Sequence, residues 1–457
     1  MLWKLNFPRL PRLLIVFVIV GFIIRLLLSI FSSDPDMVAF ASSSVSMLYG
    51  NSPYTYLIVY PPGWIYLLNI IGQITHFFVP SSSILVSNEA IVKIFLNINF
   101  DSSWLAVPAY SLVEKSTLWM FDFLTAFLLY LITLRITGSQ KNAILGFGIW
   151  FLNPLVIVES SIHGAFDIIP VFFSLLALYF IDSKKNFFAG LSLGIGFMVK
   201  LFPIYFFILI IPMILRKNSF NIASSFKESF IFFLGIVIST AVIIIPSLFT
   251  LNSANFITII LTGRGLAADL SGFNFWSVIN LTFLSPIKLI LELYFATVQM
   301  ILFYIITAIL LVLALLIGKY GSENVFALKN VFVFLIFSML LTYISTQTQP
   351  QYILWFLPFI AILAASFGTL RLSYAIVSIA TTLGYILFIA GPLFFFEPLF
   401  IFAKVSSIRY MTNNILYWYK ISGPYGTLMN LIVFGFELFF VFKFIKVFRS
   451  KRKGVVN

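Results

Sequence analysis

Runs of roughly 20 apolar residues recur along this chain, the length an α-helix needs to cross the hydrocarbon core of a bilayer. The first extends from Leu13 to Phe31. Inside lipid no water satisfies backbone N–H and C=O groups, so such runs must be helices or strands of a closed barrel. A barrel strand alternates apolar and polar residues, and these runs do not. Composition agrees: 61% of the 457 residues are hydrophobic and 9% are charged, against about a quarter charged in an ordinary soluble domain. The expected fold is therefore an all-α polytopic membrane protein forming a single domain over residues 1–457.

Spans are expected near 12–31, 113–135, 142–159, 165–181, 186–200, 202–215, 229–248, 288–317, 328–345, 351–369, 372–392 and 425–447. That is about 12 transmembrane helices, with a range of 10–13. Leu13–Phe31 lacks a small-residue cleavage site and is expected to stay as the first helix. One more apolar segment, Gly63–Val79, decides the topology. Read as interfacial or re-entrant, it leaves 19 of the 28 lysines and arginines on one face, among them Lys184, Lys185, Arg216, Lys217 and the basic tail 449–457. Cytoplasmic loops carry such an excess, so both termini are expected in the cytoplasm. The same choice makes 32–112, 249–287 and 393–424 outer loops, with amphipathic stretches such as Ile84–Phe100 suited to the membrane surface.

The formal charge of +13 sits in short loops between apolar runs and points to anionic lipid rather than nucleic acid. No GxxxxGK[ST] motif occurs and no cytoplasmic loop could house a nucleotide-binding domain, which argues against ATP-driven transport. The chain has no cysteine and two histidines, a poor set for a dedicated zinc site.

Polar and ionisable groups at a membrane are costly, and seven groups stand out. All are expected at the outer face. Asp34-Pro35-Asp36 offers two carboxylates that can share a divalent metal or supply a general base; its plain reading is a helix-end cap. Tyr54 and Tyr60, among turn-forming glycine and prolines, suit a sugar face or an interfacial aromatic belt. Lys115 and Asp122, seven residues apart, read as a charge-neutralising pair. His163-Gly164-Ala165-Phe166-Asp167 reads as a tight turn, with His163 suited to a phosphate or sugar hydroxyl, Glu159 as its partner, and Asp167 as a cap for the next helix. Lys200 places a cation at the boundary, for a lipid phosphate or merely snorkelling. Arg264 lies in a loop with Asn274-Phe275-Trp276 and suits phosphate or sugar contact. Gln347 and Gln351, with Tyr352, open an apolar run and can line a polar cavity or bond between helices.

The order of these motifs resembles the GT-C superfamily of membrane glycosyltransferases, most nearly the GPI mannosyltransferase I (PIG-M-like) branch and its prokaryotic relatives. The resemblance runs over about residues 12–360 and includes Asn153-Pro154, Ala189-Gly190-Leu191-Ser192-Leu193-Gly194 and Gln351-Tyr352-Ile353-Leu354-Trp355. It implies an inverting enzyme on the non-cytoplasmic face, moving mannose or another hexose from a polyprenyl- or dolichyl-phosphate donor to a glycolipid or glycan acceptor. The membrane would be the cell membrane in a prokaryote and the endoplasmic reticulum in a eukaryote. It further implies Asp34 and Asp36 as the acidic motif supplying the base. Lys200, Arg264 and His163 are expected at the donor phosphate, and Tyr54, Tyr60, Asp167, Gln347, Gln351 and Tyr352 around sugar and acceptor. Many such enzymes need no metal. The related GPI transamidase subunit PIG-U shares the fold plan without known transferase chemistry, so a noncatalytic subunit is the alternative reading. A transporter or flippase for a lipid-linked solute is a third.

Overall fold

The computed structural model describes residues 11–30, 32, 35–54, 60–87, 104–251, 321–344, 350–388 and 431–450, with isolated positions between 305 and 312. Most of the expected span 288–317, the outer loop 393–424 and most of the loop 249–287 lie outside the described residues. The described residues are predominantly helical, and three helices are long and apolar enough to cross a membrane: Arg12–Ile30 (α1), Pro108–Thr137 and Ile222–Thr250. Between α1 and the second of these come α2 (Pro35–Leu48) and α3 (Pro62–Phe78). The fold is not purely helical, because Leu85–Ser87 (β1) pairs antiparallel with Trp104–Ala106 (β2), Leu85 opposite Ala106. The start of the stretch Ile84–Phe100, expected at the membrane surface, is thus a strand. Val107 N–H extends the ribbon to the Ile84 carbonyl at 2.9 Å. A two-stranded ribbon satisfies backbone groups pairwise and needs only a few residues.

Pro108–Thr137 (α4) begins with proline at its first position and ends at Gly138, whose φ of 63° closes the helix in the left-handed region. Gln140–Phe151 (α5) and Pro154–Ile157 (α6) replace the single expected span 142–159. Pro154 has no N–H, and the Leu155 N–H turns to Asn153 Oδ1 at 2.8 Å, so the chain bends by 44°. A π-helical turn, Val158–His163, follows. Ile168–Asp182 (α7) and Asn186–Val199 (α8) come next. The weak run at 202–215 splits into a 3₁₀ turn, Phe202–Tyr205, and Phe206–Lys217 (α9), before Ile222–Thr250 (α10). Leu328–Ile344 (α11), a 3₁₀ turn at Pro350–Trp355, Leu357–Ser366 (α12), Arg371–Phe388 (α13) and a helix over 431–450 (α14) complete the described chain.

α12 is buried on every side from Leu357 to Ala365, which places it at the centre of the bundle. α1 and α10 expose apolar rows instead, including Ile19, Ile23 and Leu27 on the first and Phe226, Phe230 and Phe233 on the second. Apolar faces of this kind suit lipid rather than water. α3 buries Trp64, Ile65, Leu68 and Ile71 and exposes Ile70, Ile74, Phe77 and Phe78. Its 17 residues rise roughly 25 Å, short of the roughly 30 Å hydrocarbon core.

α8 and α10 approach closely at small residues. A methyl added at Gly190 would collide with the Phe232 carbonyl, and one at Gly235 with the Phe187 carbonyl. Small residues at i and i+4, here Gly190 and Gly194, let helix backbones meet in a membrane. Gly190→Ala is expected to push the pair apart and cost about 1–3 kcal/mol, read as a lower melting temperature of the detergent-solubilised protein. An unchanged melting point would mean that this contact gives way freely.

Candidate functional site

The π turn and the residues after it build the site. Gly164 has φ of 81°, open to glycine and strained for other residues. A side chain there would also meet Met37 of α2. The Gly164 and Ala165 N–H groups both bond the Glu159 carbonyl, at 2.9 and 3.1 Å. This pinned turn lets α2 lie against it, and His163 Nε2 comes within 3.5 Å of Asp36 Oδ2. The other ring nitrogen, Nδ1, is hydrogen-bonded to the Tyr385 hydroxyl of α13. His163 is buried, whereas the Asp36 side chain is 48% exposed. Burial works to raise the Asp36 carboxyl, but the His163 hydrogen bond, the His163 charge and Lys200 outweigh it and hold the group below the usual carboxylate range.

Asp167 stands at the start of α7, yet its side chain makes no capping bond. Both of its oxygens lie 2.7 Å from Lys200 Nζ, and Trp355 Nε1–H donates to Oδ1 at 2.9 Å. An ammonium and a second N–H donor outcompete a neutral backbone amide, so the capping reading is corrected. The expected Glu159–His163 pairing is corrected too: Glu159 Oε1 accepts the Asp167 backbone N–H at 3.1 Å, while His163 turns to Asp36 and Tyr385.

Lys200 leaves α8 in extended conformation with its side chain 13% exposed. It lies 4.4 Å from the Tyr352 ring centre and 5.3 Å from that of Phe166, within cation–π reach. Trp355 is stacked between Phe202 at 4.1 Å and Tyr352 at 4.2 Å. Tyr60 meets Phe166 edge-on at 4.8 Å. Segments near residues 36, 60, 163, 200 and 352 therefore converge on one aromatic-walled cluster.

Among the other expected site residues, Asp34, Arg264 and Gln347 lie outside the described residues. Gln351 is buried at the 3₁₀ turn. Tyr54 is buried in the turn after α2, with its backbone N–H on Ser52 Oγ at 3.3 Å. Lys115 and Asp122 do not pair. Seven residues of helix separate them by roughly 10 Å, and each finds another partner. Asp122 pairs with Arg25 of α1 at 3.1 Å, and Lys115 Nζ donates to the Ser32 carbonyl at 2.7 Å and Oγ at 3.0 Å. Ser32 Oγ in turn bonds the Ser161 carbonyl at 3.0 Å. Lys115 thus ties the end of α1, next to the acidic motif, to the π turn. Among the described residues no three histidine or acidic side chains gather as a metal site.

Two participants carry no role in the sequence reading. Tyr385 is one of two tyrosines in α13, and only its partner in space marks it. Trp355 belongs to a quoted motif, but nothing in its spacing points to Asp167.

Residues 90–271 match the family model described as GPI transamidase subunit PIG-U. No curated protein matches the chain. Over 92% of its length the chain aligns with 76% of ArnT from Cupriavidus metallidurans, a crystal structure with undecaprenyl phosphate bound, at 13% identity and a TM-score of 0.47. A partial family match and a likeness this distant assign no activity. The apolar helices make this an integral membrane protein, and its polar cluster defines a candidate site.

Proposed function

We propose that this protein is a membrane glycosyltransferase that moves a hexose, mannose by its sequence resemblance, from a polyprenyl-phosphate donor to a hydroxyl acceptor on the non-cytoplasmic face. The observation that carries the reading is the half-exposed Asp36 carboxylate held beside His163 in the same cluster as the partly buried Lys200. Such a carboxylate can take the proton of an acceptor hydroxyl as its oxygen attacks C1. The C1–O bond breaks, its electron pair goes to the departing lipid phosphate, and inversion follows from the direct displacement. A cation near that phosphate stabilises charge that develops only in the transition state. Lys200 takes this part, with Asp167 and Trp355 fixing its position. An ammonium has three donors, and Asp167 engages it through two hydrogen bonds.

The test is transfer of labelled hexose from polyprenyl-phosphate mannose and polyprenyl-phosphate glucose in membranes containing the protein. Lys200→Met is expected to lower the rate by about 10²- to 10³-fold. Absence of transfer from either donor would sink the reading. The match over residues 90–271, which includes α4 to α10, favours a second reading: a noncatalytic subunit of a membrane complex. It predicts stoichiometric co-purification of partner chains and no transfer by the wild type.

A further inference from the structure

We infer that Tyr385 is a positioning residue for the candidate base: through His163 Nδ1 it locks the imidazole so that Nε2–H faces Asp36. The role in turnover rests on the transferase reading; the ring geometry does not. An ionised carboxylate only accepts hydrogen bonds. Nε2 lies 3.5 Å from Asp36 Oδ2, an ion-pair contact that favours hydrogen on Nε2 whether the ring is neutral or charged. In the neutral ring Nδ1 is then the acceptor, and the Tyr385 hydroxyl donates to it.

The surroundings leave few other freedoms. The backbone at His163 is pinned by the two N–H bonds to the Glu159 carbonyl and by the left-handed Gly164. What remains is rotation of the ring, a soft and roughly twofold torsion. Tyr385 is fully buried and its ring stands edge-on to the imidazole, with centres 5.7 Å apart. A fixed phenol on one side and a carboxylate on the other select one ring orientation. Among the described residues, the other charged groups near this turn are Glu159 on the same segment, Lys200 and Asp167 beyond it, Asp122 of α4 near Glu159, and Glu114 and Lys115 of α4 against Gly164. The hydrogen bond at Nδ1 is to Tyr385. With both nitrogens engaged, His163 moves from the phosphate side of the reaction, where its residue type suggested it, to the base side. During transfer the acceptor O–H bond breaks, its proton goes to Asp36, the new O–C1 bond forms and the electron pair of the old C1–O bond leaves on phosphate. His163 keeps its Nε2 hydrogen throughout and holds the carboxylate in line.

The chain has two histidines, so His76→Gln leaves one imidazole for ¹⁵N NMR of the full chain in nanodiscs. The expected spectrum of the neutral ring has a protonated Nε2 and an unprotonated, hydrogen-bonded Nδ1. Tyr385→Phe should move the Nδ1 signal. In the transfer assay with polyprenyl-phosphate mannose, the same variant should lower kcat by up to about a hundredfold with KM for the donor unchanged. An Nδ1–H tautomer in the otherwise wild-type ring, or a spectrum indifferent to Tyr385→Phe, would overturn the inference. A wild type that transfers no sugar would overturn the transferase reading alone, because the tautomer is read without substrate.

Discussion

Asp36→Asn is expected to lower sugar transfer by about 10²- to 10⁴-fold, the usual contribution of a positioned general base. The amide keeps the shape and a hydrogen-bond acceptor for His163 Nε2–H, so the chain should still insert and fold. What it loses is the lone pair that takes the acceptor proton. Rates per mole of membrane-inserted protein are the measurement, with Asp34→Asn as the companion variant, and unchanged transfer by the double variant removes the mechanism. The pH profile gives a second reading of the same group. Burial alone would raise the Asp36 carboxyl, yet His163 and Lys200 bring it below the ordinary carboxylate value. The basic form, and the interactions that favour it, is therefore present above the ordinary value of about 3.9 and lost only as pH falls through the lower folded value. The acid limb of the rate profile should lie below about pH 4. His163→Gln should move that limb upward.

Arg25→Met is expected to destabilise the protein by about 3–5 kcal/mol, the cost of leaving one partner of a buried ion pair without the other. Both Arg25 and Asp122 are fully buried. The guanidinium also donates to the Phe151 carbonyl at 2.8 Å and lies 4.2 Å from the Phe151 ring centre. That carbonyl is available because Leu155 N–H, its ordinary helical donor, bonds Asn153 Oδ1 instead. Arg25 thus joins α1 and α4 at the bend that sets the π turn, and Ser160 Oγ reaches the same carboxylate at 2.6 Å. Unfolding in mixed micelles measures the loss. The double variant Arg25→Met with Asp122→Leu should recover much of it, since no buried charge is then left alone. A single variant as stable as the wild type would mean that water reaches Asp122.

The helical runs could be read directly because lipid forbids any other local solution for long apolar segments. The break at Asn153-Pro154 was not read, because the apolar run around it suggested a single span. The ribbon at Leu85–Ser87 escaped notice because three paired residues leave no periodicity to detect. The cluster was legible in its membership and obscure in its pairings. Asp36, His163 and Lys200 stood out as polar groups in an apolar chain, where each carries a cost that function can explain. Their partners did not stand out. Asp167 looked like a cap because capping is decided within one turn of helix, whereas Lys200 and Trp355 reach it from 33 and 188 residues away. Lys115 and Asp122 looked like a pair for the same reason.

By itself, then, the sequence determined the membrane class, the helical fold and the short set of polar residues from which a site could be built. Hydrophobicity, backbone hydrogen bonding and the cost of burying charge act locally, and so can be read along a chain. Only the tertiary structure decided that Arg25 rather than Lys115 neutralises Asp122, that Asp167 holds Lys200, and that Tyr385 stands behind His163. Those choices depend on which helices become neighbours. Ion pairs and hydrogen bonds act over about 3 Å, a distance that says nothing of separation in sequence.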